Sequence, residues 1–114
     1  MSIKLNTRQV GNVSVIQVAG RITLGEGTSA LRDAVHGMIA KDQTKILLNL
    51  GEVPYVDSSG IGELVSAFTS VKKSGGQLKL SNLTKRVKDL LKISRHDLIF
   101  EIHEDEAAGV QSFA

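Results

Sequence analysis

Lys45-Ile46-Leu47-Leu48-Asn49-Leu50 is a short apolar run between polar turns, and Asp57-Ser58-Ser59-Gly60-Ile61-Gly62 follows it after a brief joint. The first stretch reads as a strand covered on both faces. The second reads as the start of a helix, because Asp and Ser oxygens accept hydrogen bonds from the free amides of a first helical turn. Behind it Ile61, Leu64, Val65, Phe68 and Val71 recur at helical spacing, and Ser74-Gly75-Gly76 supplies a stop. Gly60 and Gly62 are poor helix formers, each costing about 1 kcal/mol against Ala. Two of them in a first turn imply a close approach to this backbone by another part of the domain or by a partner.

The same alternation continues on both sides. Toward the C-terminus, Gln77-Leu78-Lys79-Leu80 alternates as a strand, and residues 84–92 form a helix with Val87, Leu90 and Leu91 inward. Leu98-Ile99-Phe100-Glu101-Ile102 reads as a last strand, and residues 104–113 as a last helix with Ala107, Ala108, Val110 and Phe113 available for packing. Toward the N-terminus, residues 3–10 and the β-branched run Val13–Val18 flank the turn Gly11-Asn12 and read as a hairpin. The alternation slips at Val15-Ile16, so both faces of that strand are expected to be covered. A glycine-rich joint from Gly20 to Gly27 leads to a helix expected near Thr28, with Ala30, Leu31, Ala34, Val35, Met38 and Ile39 as its apolar stripe. The order is β-β-α-β-α-β-α-β-α. It predicts a single α/β domain over residues 1–114, a mixed sheet of four to five strands with an N-terminal hairpin, and about four packed helices.

Composition narrows the chemistry. The 114 residues contain no Cys, so disulfides, thiolate-ligated metals and thiol catalysis are excluded. The net charge of +2 argues for neither a nucleic-acid nor a membrane partner. No run of Val, Ile, Leu, Met or Phe exceeds three residues, against the roughly 20 apolar residues of a spanning helix. The first residues lack an apolar stretch of signal-peptide length. A cytoplasmic protein without membrane insertion is expected.

Other constellations are weak. Gly25-Glu26-Gly27-Thr28-Ser29-Ala30 matches the dinucleotide-binding string, but one small domain lacks the rest of that fold. His36, His96 and His103 have no metal spacing, and Glu101, Glu104, Asp105 and Glu106 read as a solvated acidic tail. No nucleophile elbow surrounds Ser58, so a hydrolase is not supported. Lys85, Lys88 and Lys92, with Arg86 and Arg95, make the third helix and its exit basic, which reads as a solvated face or an electrostatic patch.

Read locally, Asp57, Ser58 and Ser59 cap a helix. A phosphate on either serine would sit at a helix start that favours negative charge, and it would add nearly two charges beside Asp57. The whole chain from Val13 to about Ile102 resembles the STAS domain family of anti-sigma factor antagonists and their relatives. The resemblance rests on Ile46-Leu47-Leu48-Asn49-Leu50, Val56-Asp57-Ser58-Ser59-Gly60-Ile61-Gly62 and Gly75-Gly76-Gln77-Leu78-Lys79-Leu80. It implies that Ser58 (alternatively Ser59) is phosphorylated by a partner kinase that is also the anti-sigma factor. The unphosphorylated form would bind that kinase, the phosphorylated form would release it, and a metal-dependent serine phosphatase would reset it. The domain would be a substrate and a ligand rather than an enzyme, with no cofactor of its own. Thr23, Asp57, Ser58, Ser59, Gly60, Gly62 and Glu63 would lie in the contact surface, and the 25–30 loop would touch the kinase.

Two positions depart from the family pattern. Antagonists often carry an acidic residue where this chain has Thr23, and many have Asp where it has Asn49. Both changes are expected to make the neighbourhood of Ser58 less acidic. They leave an alternative: a non-phosphorylated subunit or scaffold of a lipid-transport ATPase or stress-signalling complex.

Overall fold

A tight turn with Gly11 at φ 62° joins strand β1 (Lys4–Val10) to β2 (Val13–Ala19), and the two pair antiparallel from Lys4↔Ala19 to Val10↔Val13. The computed structural model describes residues 3–113. Helix α1 (Glu26–Ala40) leads to β3 (Lys45–Glu52), α2 (Ser58–Lys73) to β4 (Gln77–Ser81), and α3 (Lys85–Ile93) to β5 (Ile102–His103) and α4 (Glu106–Gln111). The sheet runs β1-β2-β3-β4-β5, with every pair after the hairpin parallel. This is the expected five-stranded mixed sheet with four helices.

The two faces of the sheet carry different cores. Ile16, Val18, Ile46, Leu48 and Leu50 meet α1, α2 and α3 through Leu31, Val35, Leu64, Val71, Val87 and Leu91. The opposite face is smaller: Val13, Val15 and Leu47 pack against Phe113 and Val110. β2 and β3 are therefore covered on both sides, as the slip of alternation at Val15-Ile16 and the apolar run Ile46-Leu47-Leu48 predict. Fully burying one such aliphatic side chain contributes about 1.5–3 kcal/mol.

Three elements differ from the sequence reading. Helix α4 spans only Glu106–Gln111 instead of 104–113, with Ala107 and Ala108 exposed while Val110 and Phe113 do the packing. The other two are α1 and the last strand. Helix α1 begins at Glu26, two residues before Thr28. Gly25 takes φ 106°, and the Thr28 hydroxyl lies 3.2 Å from both the Gly25 amide and its carbonyl oxygen, which stabilises a turn that glycines alone would disfavour. The last strand is Ile102–His103 rather than Leu98–Ile102. Arg95, at φ 62°, ends α3 and starts a single 3-10 turn over His96–Leu98. Leu98 is 79% exposed, while Phe100 turns inward to meet Phe68 edge-to-face at 5.6 Å. The apolar run is thus the return path to the sheet, and only its end pairs with β4.

The acidic residues near the C-terminus are solvated at Glu101, Glu104 and Asp105, as expected, but each also has a partner within the fold. Glu101 contacts Lys79 and His103, Glu104 contacts Lys88, Glu106 contacts Arg8, and Asp105 caps α4. The Arg8 hydrogen bond, with the Asn49 amide adding to it, holds the Glu106 carboxyl below its ordinary range. The His103 hydrogen bond, then that of Lys79, does the same for Glu101. Of these acids, Glu106 (to Arg8 and Asn49) and Glu101 (to Lys79) tie the end of the chain to the sheet.

Candidate functional site

The geometry at the start of α2 begins with a backbone crossing. After β2 and β3 the chain segments 20–24 and 52–57 run side by side. The Gly20 amide donates to the Glu52 carbonyl, the Ile22 amide to the Tyr55 carbonyl, and the Asp57 amide to the Ile22 carbonyl, at 3.0, 3.1 and 3.3 Å. Ile22 is fully buried and bridges Val56. Two glycines make this approach possible. A Cβ on Gly60 would lie 2.0 Å from the Ile22 carbonyl oxygen and 2.6 Å from Val56 Cγ1, and one on Gly27 would lie 2.8 Å from the Arg21 carbonyl oxygen. The close approach expected at Gly60 therefore comes from the chain's own loop. Gly62 has open space around it.

Asp57 joins the two segments. Its backbone is extended, and its Oδ1 accepts from the Gly60 amide at 2.7 Å, the expected helix cap. Its Oδ2 accepts from the Leu24 amide at 3.1 Å, which ties the β2–α1 loop to the start of α2. The first amide bonded within the α2 backbone is that of Ile61, which donates to the Asp57 carbonyl at 2.9 Å. The amides of Ser58 and Ser59 have no hydrogen-bond partner among the described residues. Ser58 is exposed, Ser59 half-buried and Asp57 half-buried. An exposed hydroxyl beside two free amides at a helix N-terminus is an arrangement that accommodates negative charge.

The remaining expected site residues divide. Thr23 is half-buried beside Leu24 in the loop that Asp57 tethers. Gly60 is buried and serves the packing just described. Glu63 faces inward and is only 8% exposed. Its Oε1 accepts from Arg32 Nη2 at 2.7 Å and Nε at 3.2 Å, so it fastens α2 to α1 and is not free to meet a partner. That bond holds the Arg32 guanidinium above its already high pKa. Asn49 also corrects an expectation. It sits on the same strand face as Leu47, toward α4; its Nδ2 donates to Glu106 at 3.1 Å and its Oδ1 accepts from the Gly51 amide. It therefore does not set the charge around Ser58, whereas Thr23 lies in the tethered loop.

Leu24 was not singled out from the sequence. It is 77% exposed immediately beside Asp57, an apolar side chain at the rim of a polar site. The signal was present in Leu24-Gly25, an isolated aliphatic residue in a glycine-rich joint with no helical or strand period to bury it. Among the described residues no group of three His, Asp or Glu side chains is placed to hold a metal, and no helix is long and apolar enough to cross a membrane.

Comparison with known proteins agrees with this architecture. The chain is 33% identical to the anti-sigma-B factor antagonist of Bacillus subtilis over 111 residues, which is 97% of this chain and all of that one. The crystal structure of an anti-sigma factor antagonist from Mycobacterium paratuberculosis superposes with a TM-score of 0.87 at 19% identity, covering 98% of this chain and 94% of that one. The structure of the Bacillus cell fate determinant SpoIIAA in its phosphorylated form does so with a TM-score of 0.75 at 17% identity, covering 97% and 100%. The STAS domain model matches residues 4–109. With the doubly bonded aspartate at the start of α2 and this match along nearly the whole chain, the protein belongs to the STAS domain family.

Proposed function

We propose that the protein is an anti-sigma factor antagonist that works as a phospho-switch. It binds an anti-sigma factor serine kinase while the Ser58 hydroxyl is free, releases it once Ser58 carries phosphate, and is reset by a serine phosphatase. The observation that carries this reading is the exposed Ser58 at the first position of α2, beside two free amides and an aspartate whose two oxygens are already engaged. A partner that approaches this surface meets a neutral hydroxyl flanked by Leu24 and Gly62. Phosphate replaces the hydroxyl with nearly two negative charges and three acceptor oxygens. The two free amides and the helix dipole lower the cost of placing that charge on the antagonist. The same charge opposes any acidic or apolar surface that fitted the hydroxyl. The chain supplies the acceptor and the binding face, and the kinase supplies nucleotide and magnesium.

The test is to incubate the protein with the anti-sigma factor kinase encoded beside its gene and ATP, and to map the product by mass spectrometry. Phosphate is expected on Ser58, and Ser58→Glu is expected to lose kinase binding. No phosphate on Ser58, together with unchanged binding by Ser58→Glu, overturns the reading. The second reading, a constitutive subunit or scaffold, is supported by the neutral Thr23 beside the site. It is favoured if wild type and Ser58→Ala co-purify equally with an ATPase subunit.

A further inference from the structure

Three residues before Ser58 lies a second feature of the same edge. Pro54 and Tyr55, with Arg21 and Arg86, line a cleft of about 200 Å³. Of the five arginines, Arg8 and Arg32 hold Glu106 and Glu63, but neither Arg21 nor Arg86 has a carboxylate within ion-pair distance among the described residues. The Arg86 guanidinium is seated 4.8 Å from the centroid of the Tyr55 ring. An aromatic seat of this kind restrains the side chain and leaves the N–H edges free for two parallel bonds to an oxyanion. Its neighbour Lys85 is engaged by Asp89, so the free charge belongs to the arginines. The cleft is fixed relative to the switch. Ile22, next to Arg21, is hydrogen-bonded to both Tyr55 and Asp57, and three residues of extended chain place Ser58 within about 10 Å of Tyr55.

We infer that the Arg21–Tyr55–Arg86 cleft is a docking subsite for a carboxylate side chain in an acidic segment of the anti-sigma factor. This rests on the function proposed above and adds the charge of the partner's contact surface. The charge complement follows from the lining: two unpaired planar cations, an aromatic floor and no acidic residue. Glu26 lines the separate cleft on the other side of Arg21, and both oxygens of Asp57 are engaged by backbone amides. The positive charge is therefore confined to the Arg21–Tyr55–Arg86 cleft, and the complementary group there is acidic.

The test measures binding to the neighbouring anti-sigma factor kinase at low and at physiological salt. Arg21→Gln and Arg86→Gln are each expected to weaken binding roughly tenfold and to flatten its salt dependence, since loss of a charge at a contact lowers both. Arg86→Lys, which keeps charge but loses the fork, falls between. Arg95→Gln, an exposed arginine at the end of α3, leaves affinity unchanged. If Ser58→Glu abolishes binding while Arg21→Gln and Arg86→Gln keep wild-type affinity and salt slope, the cleft is not a subsite and the switch stands. If Ser58→Glu binds like wild type while the arginine variants fail, the switch is wrong and the docking cleft stands. Titration of the free protein with a hexaglutamate peptide decides the cleft without the kinase. Nuclear magnetic resonance shifts at Arg86 Nε and the Tyr55 ring that vanish in Arg21→Gln support it; no shift, or shifts that persist, overturn it.

Discussion

Two helices in this molecule start on an aspartate, and they differ in what that aspartate does. Asp105 accepts from the Ala108 amide at 2.8 Å and caps α4. Asp57 makes the same bond to Gly60 at 2.7 Å, but its second oxygen also takes the Leu24 amide from a loop 33 residues earlier. The glycines behind the caps differ too. Gly60 faces the backbone of Ile22, whereas Gly109 faces the side chain of the buried Leu47, both of whose methyls lie 2.8 Å from where a Cβ would sit. A cap bond alone defines a helix end. A second tether and a backbone contact turn one end into a fixed surface, which is what a binding site requires.

The largest expected difference between the two ends comes from their glycines. Gly60→Ala drives a methyl into a carbonyl oxygen that hydrogen bonds hold in place, and is expected to cost about 3 kcal/mol or more. Gly109→Ala presses on the methyls of a packed leucine, a softer obstacle than backbone, and should cost less, about 1–2 kcal/mol. Urea unfolding compares them directly, and equal losses would break the distinction. Next come the caps. Asp57→Ala is expected to cost about 2 kcal/mol and Asp105→Ala about 1 kcal/mol or less. Hydrogen exchange sharpens this: the Leu24 amide should exchange faster in Asp57→Ala and stay protected in Asp105→Ala.

The α4 end should instead show its electrostatics in acid. Because Arg8 lowers the folded-state pKa of Glu106, this carboxylate stabilises the fold above its ordinary unfolded value of about 4.3, and the stability is lost as pH falls through the lower folded value. Glu106→Gln should therefore be less stable than wild type near neutral pH, with the gap closing below about pH 4. A gap that is constant with pH would contradict it. The smallest effect is expected at Gly62, where a Cβ meets nothing within 4 Å. Gly62→Ala should stabilise the free protein by about 0.5–1 kcal/mol, read as a higher melting temperature; a loss would show that the first turn of α2 needs that glycine.

What could be read without coordinates follows the same division. β3 and α2 were legible because a continuous apolar run and a helical stripe are local signals. The cap at Asp57 was legible for the same reason. The inward turn of Glu63 was not, since its partner Arg32 is brought to it only when α1 packs on α2. Nor was the role of Asn49, because a strand pattern does not show that Glu106 of α4 will reach it. The last strand was misplaced because Leu98 and Ile99 have strand composition, while the backbone break at Arg95 is decided by the path back to β4.

The central claim is that the charge state of Ser58 decides partner binding. The most direct measurement is calorimetric titration of the anti-sigma factor kinase with the unphosphorylated protein and with protein phosphorylated stoichiometrically at Ser58. The account predicts that phosphate lowers affinity at least roughly 100-fold, since like charge or an unmatched charge at a contact costs several kcal/mol. Equal affinity of the two forms would contradict it.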